Sequence, residues 1–201
     1  MKVYLIRHGM TPGNLLHQYV GGRTDQPLSE EGKKTLQELK DSGIYPETES
    51  VFVSPMKRCA ETAQILFPDA EQIIVEGLKE MDFGVFEGRN YRELTGRQDY
   101  QAWVDGGCLG PCPGGEDKAG FCRRVRDAFD RLMEENAASP ALTMVAHGGT
   151  LMAILEGYGR PARGYFDWHC PCGSGFRLSA DRWAEDRTLR LLEPVAYTGG
   201  T

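Results

Sequence analysis

Two arginines and two histidines carry the chemistry for which this sequence can be read. Arg7 and His8 follow directly on the apolar run Val3-Tyr4-Leu5-Ile6, and Gly9 comes next. Arg58 lies just beyond a second run, Val51-Phe52-Val53, and His147, with Gly148 and Gly149 behind it, follows a third at 142–146. If these runs are parallel strands of one sheet, all four polar side chains arrive at its carboxyl edge, where open α/β sheets bind ligands. Such a pocket is strongly cationic. Guanidinium forks match the oxygens of a phosphoryl group, and a neutral imidazole oriented through one nitrogen can attack phosphorus with the other. No metal is needed for that step. Arg58 also sits in the first turn of its helix, where the dipole disfavours a cation. An anion shared between the arginine and the helix N-terminus removes the conflict. Taken singly, each residue has a plainer reading, as a solvated arginine or a satisfied histidine at a strand end; four converging on one edge are harder to read that way. A departing alkoxide needs a proton, hence a carboxylic acid in a secluded site that raises its pKa. Glu80 and Asp82, shortly after the run at 72–76, are the candidates.

The elements that must position these groups alternate between strand and helix. Residues 2–6, 50–53, 72–76 and 142–146 read as strands. Residues 29–42 read as a helix with Ser29 as N-cap, acids in its first turn and Gly43 after its last. Ser54 and Pro55 supply an N-cap and a first-turn proline for a helix whose apolar stripe is Cys59, Ala63, Leu66 and Phe67, ended by Pro68. Phe121, Val125, Phe129 and Leu132 mark a long amphipathic helix over 116–135, and 150–159 reads as another helix. The segments at 175–180 and 188–196 resemble an antiparallel hairpin at the sheet edge. The expected fold is an α/β three-layer sandwich, a mostly parallel sheet between helices. Residues 82–120 fit this alternation poorly and read as a lid-like insertion in a single domain spanning 1–201, with a short helix and a Gly-rich loop.

Composition narrows the function classes. The chain has 201 residues and a formal net charge of -6, which argues against a general nucleic-acid binder while allowing a local cationic pocket. No stretch has the length of a membrane span and the N-terminus lacks a leader pattern, so a cytoplasmic protein is expected. Six cysteines do not make a disulfide framework. Cys108 and Cys112, with Cys170 and Cys172, could be imagined around zinc, but neither pair has the two-residue spacing of zinc knuckles, and small free thiols in loops are the preferred reading.

Six motifs in order resemble the histidine phosphatase superfamily, the phosphoglycerate mutase-like group. They are R-H-G-x-T-x-x-N at 7–14, G-x-x-D-x-P-L-S-x-x-G at 22–32, S-P-x-x-R-C-x-x-T-A at 54–63, L-x-E-x-D-F-G-x-F-E-G at 78–88, P-G-G-E at 113–116 and V-A-H-G-G at 145–149. The resemblance implies His8 as the phosphorylated nucleophile. It places Arg7, Arg58 and His147 around the phosphoryl group, with Asn14 and Gly148 as further contacts, and puts Glu80 rather than Asp82 at the position of the general acid. No metal or dissociable cofactor is implied.

Two positions depart from the family pattern. Met10 stands where an acidic or amide residue is more usual, and Gly13 where the cofactor-dependent mutases carry an aromatic. Residues 89–105 offer Arg89, Arg92 and Arg97 but no close match to the basic pattern by which mutases hold a second acid group. Hydrolysis of a small-molecule phosphate ester is therefore expected, with phosphoglycerate mutase and a non-catalytic phospho-ligand module as alternatives. Within the phosphatases the sequence looks like alpha-ribazole phosphatases and broad-specificity sugar phosphatases. Phe83, Phe86, Tyr91, Tyr100 and Trp103 could stack on a substrate ring or fill a small core, and Phe166 and Trp168 could serve a homodimer contact or the core. Neither nucleic acid nor membrane is expected as a partner.

Overall fold

The computed structural model describes residues 1–196. In chain order the elements are β1 (Lys2–Arg7), α1 (Pro12–Leu15), α2 (Glu30–Asp41), β2 (Ser50–Val53), α3 (Lys57–Leu66) and β3 (Glu71–Ile74). They continue with α4 (Tyr91–Leu94), α5 (Gln98–Asp105), α6 (Lys118–Glu135), β4 (Ala141–Ala146), α7 (Gly148–Tyr158), β5 (Gly159–Arg160), β6 (Gly175–Ser179), α8 (Trp183–Asp186) and β7 (Leu189–Val195). Among the described residues the strands form one sheet in the order β3-β2-β4-β1-β6-β7-β5. β3, β2, β4 and β1 run parallel, whereas β6 runs against both β1 and β7 and closes the hairpin on that side of the sheet. β5, a two-residue strip parallel to β7, lies outside it.

The central strands are apolar on both faces because both faces are covered. Leu5, Phe52 and Met144 join the core beneath α6 and α7, with Phe121, Val125, Leu151 and Ile154. Their chain neighbours Ile6, Val53 and Val145 point the other way, against Leu36 of α2 and Cys59, Ala63 and Leu66 of α3. This alternation builds the three layers. It also sets the site, because the β1–β4 register pairs Arg7 with Ala146 and so brings the next residues, His8 and His147, side by side.

Several boundaries differ from the sequence reading. α3 starts at Lys57 with Met56 as an uncapped N-cap, not at Ser54-Pro55, because the Ser54 hydroxyl is committed to His147, 2.6 Å away. α6 starts at Lys118, capped by the Asp117 carboxylate on Gly120 N at 2.6 Å. α7 begins at Gly148 with His147 as N-cap and ends at Tyr158, since Gly159 turns into β5. β3 occupies 71–74, after which Glu76–Leu78 coil into a 3-10 turn leading to Glu80. α1 was not anticipated, although Thr11, Pro12 and Asn14 form a capping box with proline in the first turn. The segment after residue 82 holds two short helices, α4 and α5, where one was expected.

Candidate active site

His8 is 4% exposed and its Nδ1 lies 2.6 Å from the Gly9 carbonyl oxygen. A carbonyl only accepts, so Nδ1 carries the proton and Nε2 keeps its lone pair. Burial, then Arg58 and Arg7, holds the imidazole well below its ordinary pKa, outweighing the opposite pull of the Gly9 carbonyl. The ring is therefore neutral, with a free nucleophilic nitrogen. Its loop is braced from two sides. Gly9 N donates to Thr62 Oγ1 at 2.9 Å, and Gly173 N donates to the carbonyls of Arg7 and His8 at 3.1 and 3.0 Å.

His147 lies beside it, the ring centroids 5.2 Å apart, and is fully buried. Arg58 Nε donates to His147 Nδ1 at 3.2 Å, which leaves the proton of the neutral ring on Nε2, donating to Ser54 Oγ. Burial, Arg58, His8 and Arg7 all depress this imidazole. Arg58, also fully buried, spends Nη1 on the Thr24 carbonyl at 2.8 Å and Nη2 on that of Gly21 at 3.1 Å. Arg7 Nη1 donates to the Cys170 carbonyl at 2.7 Å, and its Nε is buried with no partner among the described residues. None of these bonds goes to a carboxylate. A fully buried guanidinium and a partly buried one without a bonded carboxylate are costly, and the arrangement is suited to bind an anion.

Glu80, 8% exposed, reaches the same place from the 3-10 turn after β3. Its Oε1 accepts from Met81 N and its Oε2 from Gly149 N at the start of α7, both at 2.9 Å. Burial raises its pKa, against the lowering effects of those N–H groups, Arg58 and Arg7. A carboxyl so raised can hold a proton to give away. Asp82, the other candidate, is turned aside. Its oxygens accept from Gly84 N and Arg23 Nε, both at 2.8 Å, and it lines a separate hollow with Lys79 and Arg23.

A cleft of about 330 Å³ opens from Arg7, Asn14, Glu80, Gly148 and Gly149. Asn14 Oδ1 is taken by the N–H and hydroxyl of Thr11, so its carboxamide nitrogen is the group left to face the cleft. The outer walls are apolar and aromatic: Tyr19, Phe83, Trp103, Met152, Tyr165 and Phe166. The five aromatics of the insertion divide between the two expected roles. Phe86 is fully buried and, with Tyr100, packs on Trp103, while Phe83 and Trp103 present a surface to the cleft. Tyr91 is exposed beside a neighbouring hollow. Trp168 belongs to the core, and Phe166, 60% exposed, stands at the cleft.

Ser54, Thr62, Tyr165 and His169 were not singled out from sequence as site residues. Ser54 and Thr62 stand in the S-P-x-x-R-C-x-x-T-A motif, so a signal existed; Tyr165 opens a 3-10 turn over 165–168 and His169 ends it, outside any of the motifs. His169 lines the cleft 3.4 Å from Arg7 Nη1, and burial and Arg7 lower its pKa. All six cysteines are free, and among the described residues no three His, Cys, Asp or Glu side chains are grouped to hold a metal ion.

Known proteins resemble this chain along nearly its whole length. An adenosylcobalamin/alpha-ribazole phosphatase of Escherichia coli K12 is 31% identical, covering 98% of this chain and 97% of its own. A protein of Yersinia enterocolitica named "Probable phosphoglycerate mutase GpmB" is also 31% identical, over 78% of this chain and 74% of its own. The crystal structure of the alpha-ribazole phosphatase of Shigella flexneri superposes with a TM-score of 0.82 at 26% identity, over 96% of this chain and 95% of that one. The family model of the histidine phosphatase superfamily, branch 1, matches residues 3–187, and the chain belongs to that family.

Proposed function

We propose that this phosphatase hydrolyses its ester without a metal, in two steps through a phosphohistidine at His8, and that alpha-ribazole 5′-phosphate is its substrate. The observation that carries the mechanism is the short contact from His8 Nδ1 to the Gly9 carbonyl, which presents Nε2 to phosphorus as Arg7 and Arg58 neutralise the oxygens. As the P–O bond breaks, the Glu80 carboxyl gives its proton to the departing alkoxide. The resulting carboxylate then takes a proton from water, which attacks phosphorus, returns His8 Nε2 as leaving group and releases phosphate. His147 acts as the post that orients Arg58, since both of its ring nitrogens are engaged.

The cleft supports the substrate. Its aromatic walls suit the flat base of a ribazole more than a small charged acid. A phosphoglycerate would leave its carboxylate facing these walls, and the one lysine there, Lys118, is already paired with Glu156 at 2.7 Å. None of Arg89, Arg92 and Arg97 lines the cleft. The Escherichia coli and Shigella flexneri relatives both carry alpha-ribazole phosphatase in their names, and both match over nearly their full length. The test is phosphate release from alpha-ribazole 5′-phosphate, 3-phosphoglycerate and sugar phosphates in chelator, with His8→Ala alongside. We expect the ribazole ester to show the highest kcat/KM and the variant to release nothing. Conversion of 3-phosphoglycerate to its isomer without net release would instead make the protein a mutase.

A further inference from the structure

We propose that Glu116 and Arg124 are positioning residues that hold Glu80 where it can deliver its proton, an inference that rests on Glu80 being the general acid. The chain that carries Glu80, residues 76–82, has no ladder partner; a 3-10 turn is its only regular element. Gly22 N and Thr150 Oγ1 hold the Met81 and Leu78 carbonyls at 3.0 and 3.1 Å, and the bonds nearest the acid come from Arg124 of α6 and from Glu116 just before it. Arg124 Nη1 donates to the carbonyls of Gly77 and Lys79 at 3.1 and 3.0 Å, and Nη2 reaches that of Glu80 at 3.5 Å. The same guanidinium grips Glu116 with two hydrogen bonds, Nε to Oε1 at 2.9 Å and Nη2 to Oε2 at 2.8 Å. Glu116 Oε2 in turn accepts from Asp82 N at 3.0 Å, and Glu116 N donates to the Asp82 carbonyl at 2.8 Å. One ion pair thus holds the backbone on both sides of the acid.

The pair is about a third exposed, 31% and 28%, so its mutual attraction is screened and adds little stability. Its geometry is what matters: a planar fork can serve two carbonyls and a carboxylate at once, and an ammonium cannot. Neither residue lines the cleft that opens from Arg7; both face the hollow behind it, with Arg23 and Lys79. Glu80 alone lines both spaces. Their hold on Glu80 passes through the backbone of 77–82, while the Arg124 charge also bears on His147, and a displacement of about 1 Å at a reacting group can cost about 10²-fold in rate.

Leaving-group dependence tests this in the full-length enzyme. p-Nitrophenyl phosphate departs without a proton, whereas an alkyl phosphate needs one. In Glu80→Gln the alkyl ester should lose about 10²- to 10⁴-fold in kcat/KM, and the nitrophenyl ester far less, because kcat/KM covers the steps up to the phosphohistidine and leaves out the second step, common to both esters, in which Glu80 is the base. Arg124→Gln and Glu116→Gln should show the same selectivity more weakly, about 10- to 10²-fold in kcat/KM on the alkyl ester. Both effects should vanish when added to Glu80→Gln, and Arg124→Lys should not restore the rate. Should Arg124→Gln not fold, Glu116→Gln, which keeps an oxygen for Asp82 N, supplies the same readout. Discrimination in Glu80→Gln with equal losses on both esters in the other two variants overturns the positioning role alone. Equal losses on both esters in Glu80→Gln overturn the acid assignment and this proposal with it.

Discussion

The two ends of the cleft are built on different terms. At the phosphate end, Arg7, His8, Arg58 and His147 stand at or just beyond the ends of adjacent strands, and His8 Nδ1, Arg7 Nη1 and every side-chain nitrogen of Arg58 and His147 are tied to backbone or to another buried group. At the leaving-group end, Tyr19, Phe83, Trp103, Tyr165 and Phe166 come from loops and short helices that lean on one another through ring contacts. Hydrogen bonds and ladder register fix positions closely; ring packing tolerates exchange of one apolar shape for another. On the proposed mechanism the chemistry therefore resides in the part that cannot shift, and the choice of ester in the part that can.

The largest expected effect breaks the phosphate end outright. His8→Ala removes the nucleophile, and because the arginines have no other group to which they could pass the phosphoryl, turnover should fall by about 10⁴-fold or more. Rapid quenching of the wild type with labelled ester should trap an acid-labile phosphoprotein that the variant lacks. A labelled variant would sink the covalent route through His8.

A second test uses the titration of the same end. His8 and His147 are held neutral by burial and by the arginines, below the ordinary imidazole value. The unfolded chain regains protons on both as pH falls below about 6.5, and the folded chain does not, so stability is lost toward acid. Each imidazole contributes a slope of about 1.4 kcal/mol per pH unit, about 2.7 kcal/mol for the two, in the window between the lowered and ordinary values. Glu80 acts oppositely. Its raised pKa makes the folded state retain a proton above the ordinary carboxyl value, so its cost grows as pH rises through that window. Urea unfolding of His8→Asn between pH 5.5 and 7 should show a shallower slope than the wild type, by up to about 1.4 kcal/mol per pH unit; an unchanged slope would mean that His8 titrates alike in the folded and unfolded protein.

The same division governs what could be read from the sequence. Strands were legible because apolar alternation matches a sheet covered on both faces, and once the strands are parallel their ends must share an edge. That is why His8, Arg58 and His147 could be brought together from three distant stretches. Ser54 was misassigned because a serine before a proline has a local partner available, the next helix turn, and only the tertiary fold shows that His147 outcompetes it. Phe83 and Phe86 are three residues apart and chemically identical, yet one faces the cleft and the other is fully buried. That choice is made by Trp103 and Tyr100, which no local pattern connects to them. The two-residue strand β5 carries too few residues to display any period.

Gly149 offers a finer cut at the phosphate end. A Cβ there would overlap Glu80 Oε1, while the N–H that Glu80 accepts would remain. Gly149→Ala should therefore push the acid aside without removing it. kcat/KM for an alkyl phosphate should fall about 10- to 10²-fold, that for p-nitrophenyl phosphate should be nearly unaffected, and the two ratios measured side by side check the claim. A uniform loss on both esters would indicate that the start of α7, not the carboxyl, had moved.

The smallest effect belongs to the other end. Phe166 is 60% exposed, in ring contact with Tyr165 at a 5.0 Å centroid separation, and reaches the cleft without being part of the core. Phe166→Ala should leave thermal stability within about 0.5 kcal/mol, as for other surface substitutions. It should raise KM for alpha-ribazole 5′-phosphate by about 3- to 10-fold, the loss of one ring contact of about 1 kcal/mol. kcat should hold, because Phe166 makes none of the hydrogen bonds that fix His8 or Glu80. KM for a small phosphate ester with no ring should also hold, and that control separates a substrate-facing ring from a merely structural one. A drop in kcat for both esters would show that the leaving-group wall supports the reacting groups, and the separation between the two ends of the cleft would fail.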